Sequence, residues 1–182
     1  MRDGSRPDGG DVLVAYASKH GATAEIAEAV ADALRARGLA VDLREAGAVR
    51  SVEPYRAVVV GSAVYLGRWR REALTLLRRH RRALAERDLW LFSSGPVGEG
   101  SVDLDDPKVA RLLRPPKVVR LGEALGAHDH AVHGGAIDEG RCFLRRKMAE
   151  GIAPELRDRR DWGEIRAWAG QVADALTAAR SG

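Results

Sequence analysis

Cysteine is almost missing from this chain. Cys142 stands alone, so no intramolecular disulfide can form and stability must come from a packed core. Lysine is scarce as well, found only at 19, 108, 117 and 147, so arginine carries most of the positive charge. No apolar run approaches the roughly 18 residues that a membrane-spanning helix needs. Met1 to Gly10 is polar and lacks the apolar stretch of a secretory leader, and it reads as a flexible tail. Together with the single cysteine, this points to a reducing, cytoplasmic setting. Three phosphate or nucleotide signatures are absent too. There is no G-x-x-x-x-G-K-[ST], no G-x-G-x-x-G, and no Cys-x5-Arg, since Met148 stands six residues after Cys142.

What is there suits one domain over residues 11–180, large enough to bury a core without metals. Hydrophobic residues make up 45% and charged residues 31%, the balance of an ordinary globular chain. The formal charge of +4 is weak evidence for a nucleic-acid partner, because the arginines are interleaved with acids. Arg68 to Arg82 is the densest basic stretch. Leu74, Leu77 and Leu84 interrupt it at helical spacing, so it reads as the solvated face of a helix.

Asp11–Ala17 is a compact apolar run ending in a Ser-Lys-His-Gly cluster, which predicts a buried strand. Ile26, Ala27, Val30, Ala33 and Leu34 then recur at helical spacing over 22–37, with Gly38 placed as a C-terminal cap. Further strands are predicted over 40–44, 56–60, 89–92 and 129–133. Helices are predicted over 68–84 and 118–125, with a helical turn near 109–113 and a short helix over 141–149. Asp161 and Glu164 form a D-x-x-E capping box ahead of a helix carrying Ile165, Trp168, Ala169, Val172 and Leu176. Five strands alternating with helices call for a parallel sheet covered on both faces, a three-layer α/β/α arrangement. At this length the doubly wound strand order 2-1-3-4-5 is favoured, and ligands of such sheets sit beyond the carboxyl ends of the strands, where the order reverses.

Three loops are predicted at that place. Ser18, Lys19, His20, Gly21, Ala22 and Thr23 follow strand one and run straight into a helix, as an anion site would. A plain helix cap by Ser18 or Thr23 accounts for the same residues. Gly61 to Gly67, with Ser62, Ala63, Val64, Tyr65 and Leu66 between, follows strand three. Ser93, Ser94, Gly95, Pro96, Val97 and Gly98 follow strand four. Small, glycine-bounded loops can bring main-chain groups against a flat heteroaromatic ring, with Tyr65 available to stack, although ordinary βα turns have the same composition.

The stretch V-L-V-A-Y-A-S-K-H-G-A-T-A-E-I-A resembles the first βα unit of flavodoxin-like proteins. Ser18, Gly21 and Thr23 match their T/S-x-T-G-x-T phosphate loop, while His20 replaces the central hydroxyl. The pieces V-V-V-G-S-A-V-Y-L-G-R-W, L-F-S-S-G-P-V-G, H-D-H-A-V-H-G-G-A-I-D and R-D-W-G-E-I-R-A-W-A extend the resemblance over about 11–178. They resemble most the flavodoxin-domain proteins related to menaquinone-dependent protoporphyrinogen dehydrogenase. The resemblance implies a flavodoxin-like fold and one FMN, with its phosphate on 18–23 and its ring between 62–67 and 93–98. It also implies an oxidoreductase acting on a small redox substrate with a quinone as acceptor, and an electron carrier between partner proteins is the alternative. The third loop has no aromatic, so Tyr65 would stack alone. Carrier flavodoxins are acidic, and this chain is basic.

Other features weigh less. His128, Asp129, His130 and His133 look like metal ligands, but strand alternation puts His128 and His130 on one face and His133 on the other, and no metal is expected. Cys142 reads as a packed side chain, and Trp162 with Trp168 as helix packing. Arg68 and Arg70 suit carboxylate pairing but read first as solvated surface. No side chain stands out as a catalytic acid or base. No stripe in the sequence sets an oligomeric state, and the expected location is cytoplasmic, with peripheral membrane association open through the quinone.

Overall fold

The computed structural model describes residues 11–95, 106–136 and 158–178. Its frame is a parallel sheet of β1 (Val12–Ala17), β2 (Val41–Glu45), β3 (Ala57–Tyr65), β5 (Asp88–Ser94) and β6 (Asp129–His133), in the order β2-β1-β3-β5-β6. A two-residue strand, β4 (Arg68–Trp69), pairs antiparallel with the end of β3 and lies off this path. With β4 set aside, this is the predicted order. The short strand is a sixth that sequence patterning did not predict.

Both faces of the sheet are covered, because the strands are apolar on both sides. Alternate residues divide cleanly between two cores. Val12, Val14, Ala57, Val59, Trp90 and Phe92 face α1 (Ala22–Ala36) and α6 (Trp162–Ala178), meeting Ile26, Val30, Leu34, Ile165, Val172 and Leu176. Leu13, Ala15, Val58, Val60, Leu89 and Leu91 face the other way. They meet Leu76 and Leu77 of α2 (Arg71–Arg79), Leu84 of α3 (Arg81–Leu84) and Val118 of α5 (Pro116–Ala124). A further helix, α4 (Pro107–Leu113), precedes α5. This period-two partition is what burial on both faces requires of a parallel sheet.

Helix ends follow their chemistry. Gly38 takes φ +80° after α1, and its N–H reaches Arg35 O at 2.9 Å. Asp106 accepts from Lys108 N at 2.8 Å ahead of α4. Asp161 accepts from Glu164 N at 2.9 Å ahead of α6, which is the side-chain half of the expected capping box.

Three sequence expectations are corrected. β3 and β5 run past Val60 and Phe92, so Gly61 to Tyr65 and Ser93 to Ser94 are strand and not loop. The helix expected from Arg68 starts at Arg71 and breaks at His80. The cause is tertiary. The Trp69 indole is buried and donates to Ser93 Oγ at 2.8 Å, and Arg70 N donates to Ser62 Oγ at 2.9 Å. These bonds hold the chain extended where its own pattern favours a helix. His128 and His130 do not share a face. The strand begins at Asp129, and His128 stacks on Trp90 at 4.7 Å on the α1/α6 side, whereas His130 meets Trp69 and Ser93 on the opposite side. His133 does lie opposite His130, against Phe92 and Trp168. Among the described residues no cluster of metal-ligating groups is found. The 1–10 tail, the short helix at 141–149 and Cys142 lie outside the described residues.

Candidate functional site at the carboxyl edge of the sheet

The loop after β1 is built for close approach. Gly21 occupies the position before α1 with φ +93° and ψ −35°, a conformation that L side chains rarely adopt. Its N–H donates to Ser18 Oγ at 3.0 Å, so Ser18 closes the loop on itself. No side chain caps the helix, so the plain cap by Ser18 or Thr23 does not account for the loop. The first helical bond runs from Glu25 N to Gly21 O at 3.0 Å, and the N–H groups of Ala22, Thr23 and Ala24 precede it, aimed outward along the helix axis. His20 contributes a buried Nδ1 with no partner. An oxyanion set against this turn would give these donors the partners they lack. The residues present therefore fit a phosphate.

The end of β3 and β4 form a hairpin beside that loop. Tyr65 pairs with Arg68 across a two-residue turn, Leu66-Gly67, with φ +48° and +68°. Positive φ at both central residues is what a tight hairpin twist demands. The hairpin leans on the phosphate-type loop. The Tyr65 ring meets His20 edge-on at 5.9 Å between centroids, and Lys19 Nζ lies 5.8 Å from its centre. Burial pushes the Tyr65 hydroxyl pKa up, against the opposing pull of Arg70.

The third loop opens at Gly95, whose φ of +133° turns the chain away from β5. Gly95 N donates to His133 O at 3.0 Å, tying the loop to β6. A side chain at 95 would stand 3.5 Å from Val64 O, so the second and third segments sit close together. Ser62 within β3, and Ser93 and Ser94 at the end of β5, are buried. Ser62 Oγ accepts from Arg70 N and donates to Ala63 O at 3.0 Å. Ser93 Oγ accepts from Trp69 Nε1 and lies 2.9 Å from His130 Nε2. Burial, with the Arg114 charge adding to it, holds the His130 imidazole down at about 4, so it is neutral near pH 7. Of the expected residues, 18–23, 62–67 and 93–95 thus gather at one edge of the sheet, and Pro96, Val97 and Gly98 lie outside the described residues.

Two contributors gave no clear signal in the sequence. Trp69 falls inside a stretch of helical spacing, and a Leu-Gly turn lacks the Asn-Gly or Asp-Gly mark of a hairpin. Arg160 reaches from the segment before α6 to Glu25 in the first turn of α1, grips Asp158 at 2.6 and 2.8 Å, and stacks 4.7 Å over Trp162. The Arg160 hydrogen bonds hold the Asp158 carboxyl below its usual range. By pairing with Glu25, Arg160 offsets the one negative side chain at the helix end where an anion would sit.

Comparison with known proteins bears on the family and the fold. The flavodoxin domain family matches residues 13–152. Rubredoxin oxygen:oxidoreductase of Desulfovibrio gigas is similar in fold, with TM-score 0.60 and 16% identity over 94% of this chain, which spans only 37% of that protein. An archaeal flavodoxin (TM-score 0.57, 13% identity) is covered over 98% of its length by 91% of this chain. Flavodoxin 2 of Bacillus cereus (TM-score 0.56, 21% identity) is covered over 98% of its length by 92% of this chain. At such identities the likeness is one of fold alone. No curated protein matches the chain by sequence. With the family matching well over half of its length, this chain belongs to the flavodoxin domain family.

Proposed function

We propose that this chain binds one FMN and works as an FMN-dependent oxidoreductase, linked to a quinone, with a protoporphyrinogen-type compound as the reduced substrate. The observation that carries the cofactor is the turn at Gly21. A φ of +93°, a self-closing Ser18 bond, the open amides of α1 and the unpartnered His20 Nδ1 together form a cradle for a phosphate. Lys19 and Thr23 flank it. The ring would lie between 62–67 and 93–98, with Tyr65 offering one aromatic face and the backbone near Gly67 and Gly95 offering hydrogen bonds. When bound, the flavin supplies the electron transfer, and the protein orients it and sets its surroundings.

The family and the fold support a flavin-based redox role. The specific substrate rests on the motif resemblance. A second reading, an electron carrier between proteins, draws on the flavodoxins that this chain covers over nearly their whole length. Titration with FMN, followed at the flavin absorbance bands, tests the cofactor, with Thr23→Ala and Gly21→Ala expected to weaken it. Turnover of protoporphyrinogen with a soluble naphthoquinone as acceptor then separates the two readings. FMN binding without turnover would leave the carrier, and no binding at high FMN would remove the redox reading.

A further inference from the structure

Among the described residues three large hydrophobic side chains are exposed: Tyr65 at 42%, Leu66 at 97% and Leu112 at 41%. They gather at one place. Tyr65 and Leu66 form the first half of the β3–β4 turn, and a Cβ built on Gly67 would stand 3.4 Å from Leu112 Cδ1. Leu66 is also the one non-glycine described residue with positive φ, at +48°. Asparagine or glycine suits that position better, and a leucine with almost its whole surface in water gains no packing in return. Folding therefore gives no reason for a leucine at the tip.

Cations surround it. Arg68 follows it in the turn, and Lys19 lies beside Tyr65. Lys108 sits one helical turn before Leu112 on the same face of α4, with Arg111 next to it. All four are exposed, and none forms an ion pair among the described residues. Residues 57–69 and 107–113 contain no acid at all. Asp106 lies at the border, and its carboxylate is engaged in capping α4.

We propose that this hairpin tip docks the protein on an anionic bilayer. Leu66 enters the interfacial layer with Leu112 beside it, and Arg68, Lys108 and Arg111 meet lipid phosphates. A single protruding side chain favours a bilayer, which accepts it without a matching hole, over a protein that would need one. Among the described residues of the turn and of α4 no acid interrupts these cations, which suits a uniform anionic surface. The purpose of docking rests on the quinone-linked reading, since it would carry the candidate ring site to the layer where a lipid-soluble acceptor resides. The test does not depend on that reading.

The full chain is sedimented with vesicles of phosphatidylcholine alone and of equal parts phosphatidylcholine and phosphatidylglycerol, while FMN binding is measured separately. Wild type is expected to sediment with the anionic vesicles only, and less so as salt rises. Leu66→Asn should lower the vesicle partition about tenfold. It should leave thermal stability equal or higher, because asparagine tolerates the left-handed region. Lys108→Gln combined with Arg111→Gln should lower the partition by about tenfold or more. Wild type that stays in solution, or Leu66→Asn that sediments as well as wild type, overturns the proposal. FMN binding without vesicle binding would sink docking alone, and Leu66-dependent sedimentation without FMN binding would sink the flavin reading alone.

Discussion

Gly21 offers the sharpest test of the candidate phosphate site, because the same substitution at the other end of α1 serves as its control. Gly21 and Gly38 both hold positive φ, at +93° and +80°. An added methyl at 38 would meet nothing within 4 Å, and at 21 its nearest contact is Glu25 Oε1 at 4.0 Å. Neither Gly→Ala change is opposed by a clash, so both act through the backbone. Left-handed strain costs about 1–2 kcal/mol for an L residue. The reduced freedom of the unfolded chain returns ~0.4–1 kcal/mol. Each variant should therefore lose about 1 kcal/mol, or roughly 2–4 °C in Tm for a chain of this length. Ligand affinity should separate them. Relief of strain at 21 would turn the Gly21 N–H from Ser18 and misdirect the open amides of α1. One charge-assisted hydrogen bond is worth ~1.5–3 kcal/mol, so FMN affinity should fall roughly ten- to hundredfold. Gly38→Ala should leave FMN affinity unchanged. Differential scanning fluorimetry and FMN titration on the two purified variants measure both quantities. Equal FMN affinity in Gly21→Ala and Gly38→Ala would refute the reasoning.

Three other outcomes follow from the packing. Gly61→Ala would set a Cβ 1.9 Å from Cζ of the fully buried Phe92, so a loss of about 3 kcal/mol or a failure to fold is expected, read from the urea midpoint. Ser93→Ala strips the buried Trp69 indole of its acceptor and should cost about 1–3 kcal/mol, with a shift in tryptophan emission as the hairpin loosens. His133 is buried with neither ring nitrogen partnered, and burial, opposed by Asp129, holds it down at about 4. An unfolded histidine takes up a proton near pH 6.5, so the unfolded state binds more protons between about 6.5 and 4. Stability should be full above that window and fall through it as pH drops, by on the order of 3 kcal/mol from this group, with His130 adding in the same direction. Urea midpoints taken across the window should slope less in His133→Leu than in wild type, and an unchanged slope would count against the burial argument.

Much of this fold could be read from local pattern. Val12–Ala17 is apolar on both faces and ends at Gly21, so strand, turn and helix all declare themselves within one short stretch. The last helix is equally plain from Asp161 and the spacing of Ile165, Trp168 and Val172. The region after β3 was hidden because its structure is set from a distance. Arg68 to Leu84 carries a helical pattern throughout, yet its first residues are held extended by Ser62 and Ser93, from strands that no local window includes. The histidines failed for a related reason. Alternation is reliable inside a strand, but His128 lies one residue before β6, and its contact with Trp90 and its 2.8 Å bond to Asp88 fix it instead. Arg160 was invisible because its partner, Glu25, is 135 positions away.

Ser62 and Ser93 show how such a site is held without spending side chains on the ligand. In the sequence they stand where strand meets loop, and their hydroxyls invite a reading as ligand contacts. In the fold both are buried, and each is engaged by the hairpin: Arg70 N on Ser62, the Trp69 indole on Ser93. Two hydrogen bonds from neighbouring strands thus fix the base of a hairpin whose Tyr65 sits against Lys19 and His20. A turn with positive φ at two successive residues needs such an anchor, since its own conformation is unfavourable for Leu66. The same anchor sets the distance between the hairpin and Gly95, whose N–H is tied to His133. A ring bound as proposed would then be faced mostly by main chain, held at fixed spacing by the sheet beneath it. The geometry of such an edge belongs to the strands and not to its exposed side chains.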